Sequence, residues 1–447
     1  MINKYSIFKG FYLYTLLPFE RETYIEYNIK DLINDYKDVI NSGKRIDIYL
    51  HIPWCNDICD YCHCNKTKYN KNEISLFLKK LEEIMEYYFI TYGKIDISAL
   101  WIGGGTPNIL SYDEMERLFK LLYKYFNFKD GFVHTIELNH LYLNNEKVDL
   151  IKNYGFDMVK IPIQSVNENI IKDVNRFKGK GYIDKYVNII NYVKSKNFKE
   201  VSSDMILGLP GSTLEDEINT FKFLKSIDID NICVFPLQMT VYGKKISKDM
   251  MVNTYNNIIE RYYEFINQIS TDTDYYMYNE KVFSTAFFLI RNNHKYLEDK
   301  KYHFNHFYEG RSVIGLGPTA VGNVFGKEYY INFDLDKYNT KNNVKKYNIT
   351  IRDEMLYYIF YGLDLYGRVS LEGFNLTFGE NLSDVFLKEI SMGLKKNILS
   401  IEGNFIKVIE KNRYVLFLYL FNNFLNETEK KSFIKKSLIN NNGNNNV

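Results

Sequence analysis

From Arg45 to Pro236 the chain alternates short apolar runs with longer amphipathic ones. The apolar runs are Ile46 to Ile52, Ile97 to Ile102, Val133 to Leu138, Met158 to Ile163, Val201 to Leu207 and Asn231 to Phe235. Each has strand length, and its near-continuous hydrophobicity suits a parallel strand covered on both faces. Helix-period segments fall between them, near Ile74 to Phe89, Tyr112 to Tyr125, Glu146 to Tyr154, Glu168 to Asn175 with Ile183 to Lys194, and Leu214 to Ile227. This βα rhythm predicts an α/β fold, a partial (β/α)6 TIM-like barrel, whose site is built from the loops after the strand C-termini.

The rhythm breaks after Met239. A helical run from Met250 to Ser270 is followed by an irregular Tyr- and His-rich stretch to Gly326, in which Gly315-Leu316-Gly317-Pro318 reads as a turn. Beyond it, Arg352 to Leu363 and Leu382 to Lys396 read as helices, and Phe405 to Ile409 and Arg413 to Leu416 as short strands. The expected division is an N-terminal extension over the barrel (1–45), a core barrel (46–270), a substrate-side segment (271–350), a small, mostly helical C-terminal domain (351–439) and a disordered Asn-rich tail (440–447).

Charge excludes some functions. The 447 residues carry 57 Lys plus Arg against 55 Asp plus Glu, so no global field attracts nucleic acid or an anionic membrane. No run approaches the roughly 18 apolar residues of a membrane span, and Met1-Ile2-Asn3-Lys4-Tyr5 does not open a signal peptide. A cytoplasmic protein is expected. The 40 Tyr and 32 Phe accompany many Lys, Asn and Ile, a codon bias rather than a signal.

Cysteine usage changes the picture. Four of the five cysteines, Cys55, Cys59, Cys62 and Cys64, fall within ten residues, which points to metal ligation in a reducing compartment and not to disulfides. In Tyr49-Leu-His-Ile-Pro-Trp-Cys55-Asn-Asp-Ile-Cys59-Asp-Tyr-Cys62-His-Cys64, a strand runs into a Cys-x3-Cys-x2-Cys loop. A loop this short can bring three thiolates to three irons of a [4Fe-4S] cluster and leave the fourth iron open. The alternative is a zinc knuckle drawing on these cysteines and His63; the strand ahead of the loop favours the cluster. The fifth cysteine, Cys233, sits in an apolar run and reads as a buried small hydrophobe.

This stretch resembles the radical S-adenosylmethionine family, and within it the oxygen-independent coproporphyrinogen III oxidase group. The resemblance runs from Tyr49 to Gly322, more weakly beyond. It implies that Cys55, Cys59 and Cys62 hold a [4Fe-4S] cluster, that Cys64 is not a ligand, and that Tyr61 lies against the adenine of S-adenosylmethionine. Tyr49 is included with the cofactor residues. Trp101-Ile-Gly103-Gly104-Gly105-Thr106-Pro107 corresponds to the segment that receives the methionine moiety, with Gly104, Gly105 and Thr106 against it. Glu137, Gln164, Arg176 and Asp204, at or after the ends of strands three, four and five, stand where the family holds the cofactor. A carboxylate at Asp204 suits ribose hydroxyls, and the fork of Arg176 suits the methionine carboxylate.

The chain departs from the group at Val321-Gly322, where His-Ser is common, at Pro162, where Gly is usual, and before residue 45, where Tyr14-Thr15-Leu16-Leu17-Pro18 keeps part of an Arg-Tyr-Thr-Ser-Tyr-Pro pattern. What the resemblance implies is cleavage of S-adenosylmethionine to a 5′-deoxyadenosyl radical, followed by oxidative decarboxylation of a porphyrinogen propionate in anaerobic heme synthesis. Two alternatives stay open. One is a related radical reaction, methyl transfer or heme ring opening; the other is a heme chaperone that does not turn over, whose relatives usually carry Phe at the position of Cys64. Expected partners are a small-molecule, tetrapyrrole-type substrate and an electron donor such as flavodoxin or ferredoxin, with a monomeric chain. His51 reads as a hydrogen-bonded barrel residue, Lys178, Lys180 and Lys185 as a solvated face, and His303 and His306 as facing a substrate or a heme iron or else as part of a surface loop.

Overall fold

The computed structural model describes residues 24–62, 64–128, 134–237, 248–277, 287–291, 310–365, 367–410 and 413–431. His303, His306, the first 23 residues and the Asn-rich tail lie outside them.

Six parallel strands carry the fold: β1 (Ile46–Ile52), β2 (Ile95–Gly104), β3 (Thr135–Glu137), β4 (Met158–Lys160), β5 (Glu200–Leu207) and β6 (Asn231–Pro236), adjacent in that order. Their connections are the helices α1 (Lys71–Tyr92), α2 (Tyr112–Tyr125), α3 (Asn145–Asn153), α4 (Tyr182–Ser195) and α5 (Leu214–Ser226). Start signals are local. Ser111 with Glu114 and Thr213 with Asp216 form capping boxes at α2 and α5, and asparagines cap α1 and α3. The expected run to Ile163 shortens to Lys160 because Pro162 has no N–H to add to a ladder, although Ile161 and Ile163 still donate to the Ser202 and Asp204 carbonyls.

Strand β5 is buried throughout, although it contains Glu200, Ser203 and Asp204. Each finds a partner. Asn231 donates to Glu200 at 2.8 Å, Tyr186 meets Ser203 at 2.8 Å, and Lys160 pairs with Asp204. Burial of these groups is tolerable because they are compensated.

The stretch expected to be irregular up to Gly326 instead holds strands. β7 (Ser312–Leu316) runs parallel to β1 and takes in Gly315 and Leu316, so the turn begins only at Gly317. β8 (Val321–Val324), β9 (Glu328–Asn332) and β10 (Asn343–Asn348) follow antiparallel, with Ile25–Asn28 at the edge. At the other end, Phe287–Arg291 and Tyr275–Met277 add antiparallel to β6. The helix Lys248–Ile269 precedes them, as expected.

Residues 351–431 have a core of their own, in which Leu356, Phe360, Phe374, Leu416 and Leu420 are buried. Here one expectation fails. Arg413 to Leu416 does not form a strand but opens the helix Arg413–Phe424. Its buried Leu416, Phe417, Leu420, Phe421 and Phe424 recur at helical spacing, which four residues read in isolation do not reveal.

Candidate active site

The cysteine loop leaves the C-terminal end of β1 and is held from several sides. Trp54 is fully buried and donates from Nε1 to Glu73 at 3.1 Å. The Asp60 N–H donates to the Val174 carbonyl at 3.0 Å, and Asn175 donates to the Asp60 carboxylate at 2.9 Å. Lys66 closes the loop by donating to the carbonyls of Cys62, at 3.0 Å, and Cys64, at 3.1 Å. The thiols are thereby placed by backbone contacts, before any ligand arrives. Cys55 is buried with its sulfur 3.4 Å from the Thr106 hydroxyl, and burial pushes its thiol up to about 11. Burial raises Cys59 as well, opposed by the Arg176 guanidinium. Cys64 is exposed as a residue, yet its thiol turns inward and shares a hydrogen bond with Cys62, which raises it.

Behind the loop, His51 is a hydrogen-bonded barrel residue. Its Nε2 lies 2.8 Å from the Asn65 carbonyl, which only accepts, so Nε2 carries the proton and Nδ1 accepts from the Tyr49 hydroxyl at 2.8 Å. Burial lowers it to about 4, keeping it neutral. The glycines after β2 fit around this layer. Gly104 has φ +106°, and a Cβ there would meet the His51 ring at 2.7 Å; one on Gly105 would strike the Trp54 carbonyl.

The strand ends supply the polar walls. Glu137 ends β3, Lys160 ends β4 and Asp204 lies in β5. Burial raises the Glu137 carboxyl, opposed by the Lys160 ammonium. Lys160 Nζ stands 3.1 Å from Asp204 Oδ1. Gln164 bridges to Met205 in left-handed backbone, φ +71°, a conformation non-glycine residues seldom adopt. Its side-chain oxygen is buried without a hydrogen-bond partner. Arg176 is buried and donates to Tyr182 Oη at 2.7 Å, Tyr61 Oη at 2.9 Å and the Pro162 carbonyl at 2.7 Å. Of its five N–H donors three are thus committed to the protein, and the guanidinium fixes Tyr61 next to Cys59 and Cys62.

One cavity of about 290 Å³ joins these parts. Cys55, Cys59, Cys62, Tyr61, Gly104, Gly105, Thr106, Glu137, Gln164, Arg176 and Asp204 all line it, together with Cys64. Tyr49 does not; it braces His51 instead. Among the described residues no three His, Cys, Asp or Glu converge on one metal position, whereas thiolates that each meet a different iron need no such convergence. Three buried-to-half-buried thiols and an orphaned amide oxygen in one cavity fit a cluster with a polar organic ligand beside it.

Two residues of this region escape a reading of the motifs. Lys160 also lines the cavity, and a lone charge inside an apolar strand run was its available signal. Glu217 of α5 accepts from the Gly208 N–H at 2.6 Å, Ser212 at 3.1 Å and Arg261 at 3.2 Å, and so pins the Gly208-Leu209-Pro210-Gly211 loop after β5. Nothing in its helical sequence context distinguishes it from a surface glutamate.

Comparison with known proteins gives the same outline. Residues 49–224 match the model of the Radical SAM superfamily, whose cofactors are the expected [4Fe-4S] cluster and S-adenosylmethionine. The oxygen-independent coproporphyrinogen III oxidase of Synechocystis sp. is 26% identical over 256 residues, covering 56% of this chain and 53% of that protein; its counterpart in Escherichia coli (strain K12) is 28% identical over 193 residues, 43% and 42%. The chain thus spans about half the length of these oxidases. The heme chaperone HemW of Bacillus subtilis (strain 168) is 24% identical over 344 residues, 76% of this chain and 88% of that one. The solved structure of coproporphyrinogen III oxidase (HemN) from Escherichia coli superposes with a TM-score of 0.65 at 19% identity, covering 87% of this chain and 90% of that one, and shares the fold. Residues 49–224 thus carry the Radical SAM superfamily match, in a chain similar in sequence to both coproporphyrinogen III oxidases and heme chaperones.

Proposed function

We propose that the protein is a radical S-adenosylmethionine enzyme acting on a tetrapyrrole, most specifically by oxidative decarboxylation of coproporphyrinogen III. Cys55, Cys59 and Cys62 hold the [4Fe-4S] cluster; Glu137, Gln164, Arg176 and Asp204, with the Gly104-Gly105-Thr106 turn and Tyr61, hold S-adenosylmethionine. The observation that carries this is the meeting of the three loop thiols and the polar strand ends in one cavity, where the Gln164 oxygen lacks a protein donor. When bound, the cluster supplies one electron that splits S-adenosylmethionine into methionine and a hydrogen-abstracting 5′-deoxyadenosyl radical.

The chain's own residues prepare that event. Thr106 and Arg176 sit against Cys55 and Cys59 and oppose part of the rise that burial gives their thiols. Arg176 orients Tyr61 through its hydroxyl, and Ile206, Phe235 and Leu237 line the cavity with apolar surface that keeps water out. Residues 46–270 form the catalytic unit, with 271–350 on the substrate side and 351–439 accessory; the chain works as a monomer in the cytoplasm, supplied with electrons by a flavodoxin- or ferredoxin-type donor.

A second reading is a heme chaperone, favoured by the longer match to the Bacillus subtilis protein. Cys64 in the cavity lining speaks for the oxidase. Anaerobic reconstitution with iron and sulfide, then dithionite and S-adenosylmethionine with coproporphyrinogen III, tests the proposal by mass spectrometry. Loss of carbon dioxide from the propionates with formation of 5′-deoxyadenosine is expected. Stoichiometric heme binding with no 5′-deoxyadenosine would select the chaperone, and 5′-deoxyadenosine without decarboxylation would point to a different substrate.

A further inference from the structure

Lys160 is the one charge in the otherwise apolar run Met158 to Ile163, and β4 carries it to the centre of the polar wall. Its register partner on β3 is Glu137, its ion-pair partner on β5 is Asp204, and the Phe235 ring on β6 lies 5.4 Å from its ammonium. The Lys160 and Asp204 side chains are only 13% and 12% exposed. Nζ stands 3.1 Å from Oδ1, so the ammonium holds that oxygen, and both residues line the cavity. An ammonium has three N–H groups, and that of Lys160 makes no other hydrogen bond among the described residues. Strand ends therefore present a carboxylate beside an ammonium with N–H groups to spare, on the cavity that also holds the thiols.

We infer that Lys160 is a further cofactor-binding residue and that Lys160 and Asp204 act as a donor–acceptor pair for a vicinal diol, the ribose of S-adenosylmethionine: Asp204 accepts from one hydroxyl while Lys160 donates to the other. The inference rests on the cofactor pocket proposed above. A carboxylate alone accepts from both hydroxyls but leaves their lone pairs unserved in a water-poor cavity, and a neighbouring ammonium corrects that. The same ammonium keeps two inward carboxylates, Glu137 and Asp204, from facing each other without a counter-charge.

The test is equilibrium dialysis of the reconstituted protein against S-adenosylmethionine and its 2′-deoxy and 3′-deoxy analogues. Wild-type protein should lose affinity about tenfold for each missing hydroxyl, the size of one charge-assisted hydrogen bond. Lys160→Met should bind S-adenosylmethionine about tenfold more weakly, and for one of the two analogues the penalty should shrink to less than about twofold. Should Lys160→Met fail to fold, Lys160→Met/Asp204→Leu removes both members of the pair and should discriminate against neither analogue. Undiminished affinity in Lys160→Met, or full discrimination against both analogues in either variant, overturns the inference. Wild-type protein that takes up no S-adenosylmethionine at all overturns the pocket reading and this inference with it.

Discussion

The two halves of the long sheet set their buried polar groups against different surroundings. In β7 to β10 they are paired with one another. Tyr36 Oη lies 3.0 Å from Tyr330 Oη and donates to the Val313 carbonyl, Asn332 donates to the Gly315 and Gly317 carbonyls, Arg311 pairs with Asp47 on β1, and Lys346 pairs with both Glu328 and Asp35. At the ends of β3 to β5 the groups are just as buried, but they line the cavity, where the Gln164 oxygen has no donor. Polarity packed inside the protein holds strands together; polarity that lines a cavity can also meet a ligand. The departure Val321-Gly322 belongs to the first kind, since a Cβ on Gly322 would run into the Tyr330 ring at the centre of the tyrosine network.

The largest effect separating the two regions falls on the cysteine loop. Cys55→Ala, Cys59→Ala and Cys62→Ala should each abolish the iron–sulfur absorption of reconstituted protein, whereas Cys64→Ala should keep it. Equal loss in the Cys64 variant would redraw the ligand set. Next is the closed network: Lys346→Met leaves the Glu328 carboxylate buried and unpaired, which should cost about 3–5 kcal/mol in denaturant unfolding, with S-adenosylmethionine affinity unchanged. A variant that instead lost cofactor and kept its stability would erase the distinction drawn above.

Smaller shifts should follow in the open wall. Glu137→Ala and Asp204→Ala should weaken S-adenosylmethionine binding by about 1–3 kcal/mol with the cluster spectrum intact. Arg176→Ala should do so too and also lower the melting temperature, because three internal hydrogen bonds go with it. Smallest is a pH effect outside both. Glu354, whose carboxylate accepts from the Gly326 N–H, is raised from 4.5 to about 7, chiefly by burial and also by neighbouring Asp353. The folded carboxyl holds its proton more tightly than the unfolded one, so its stabilising effect is complete below about pH 4.5 and is lost as pH rises through about 7. Over that window wild-type stability should fall by about 1–2 kcal/mol more than that of Glu354→Gln.

Much of the site was legible because it lies where sequence signals are strongest. Continuous apolar runs locate the parallel strands, and cysteine spacing and the glycine turn locate their ends. The antiparallel half was not legible. Val321–Val324, Glu328–Asn332 and Asn343–Asn348 mix Lys, Asn and Tyr, and their inward face is recognisable only once Tyr36 and Tyr330 are seen to satisfy each other. Lys160 was missed for a related reason. A single lysine in a strand reads as solvent-facing until pairing places Asp204 beside it.

The central claim is that Cys55, Cys59 and Cys62 would hold a cluster, and Glu137, Gln164 and Asp204 would hold S-adenosylmethionine, in the one cavity that all six line. Electron paramagnetic resonance of the dithionite-reduced, reconstituted protein, recorded with and without S-adenosylmethionine, tests it most directly. The account predicts a [4Fe-4S] signal whose g-values shift when S-adenosylmethionine is added, the shift being lost in Asp204→Ala at the same cofactor concentration. A cluster signal that S-adenosylmethionine leaves unchanged in the wild-type protein would contradict it.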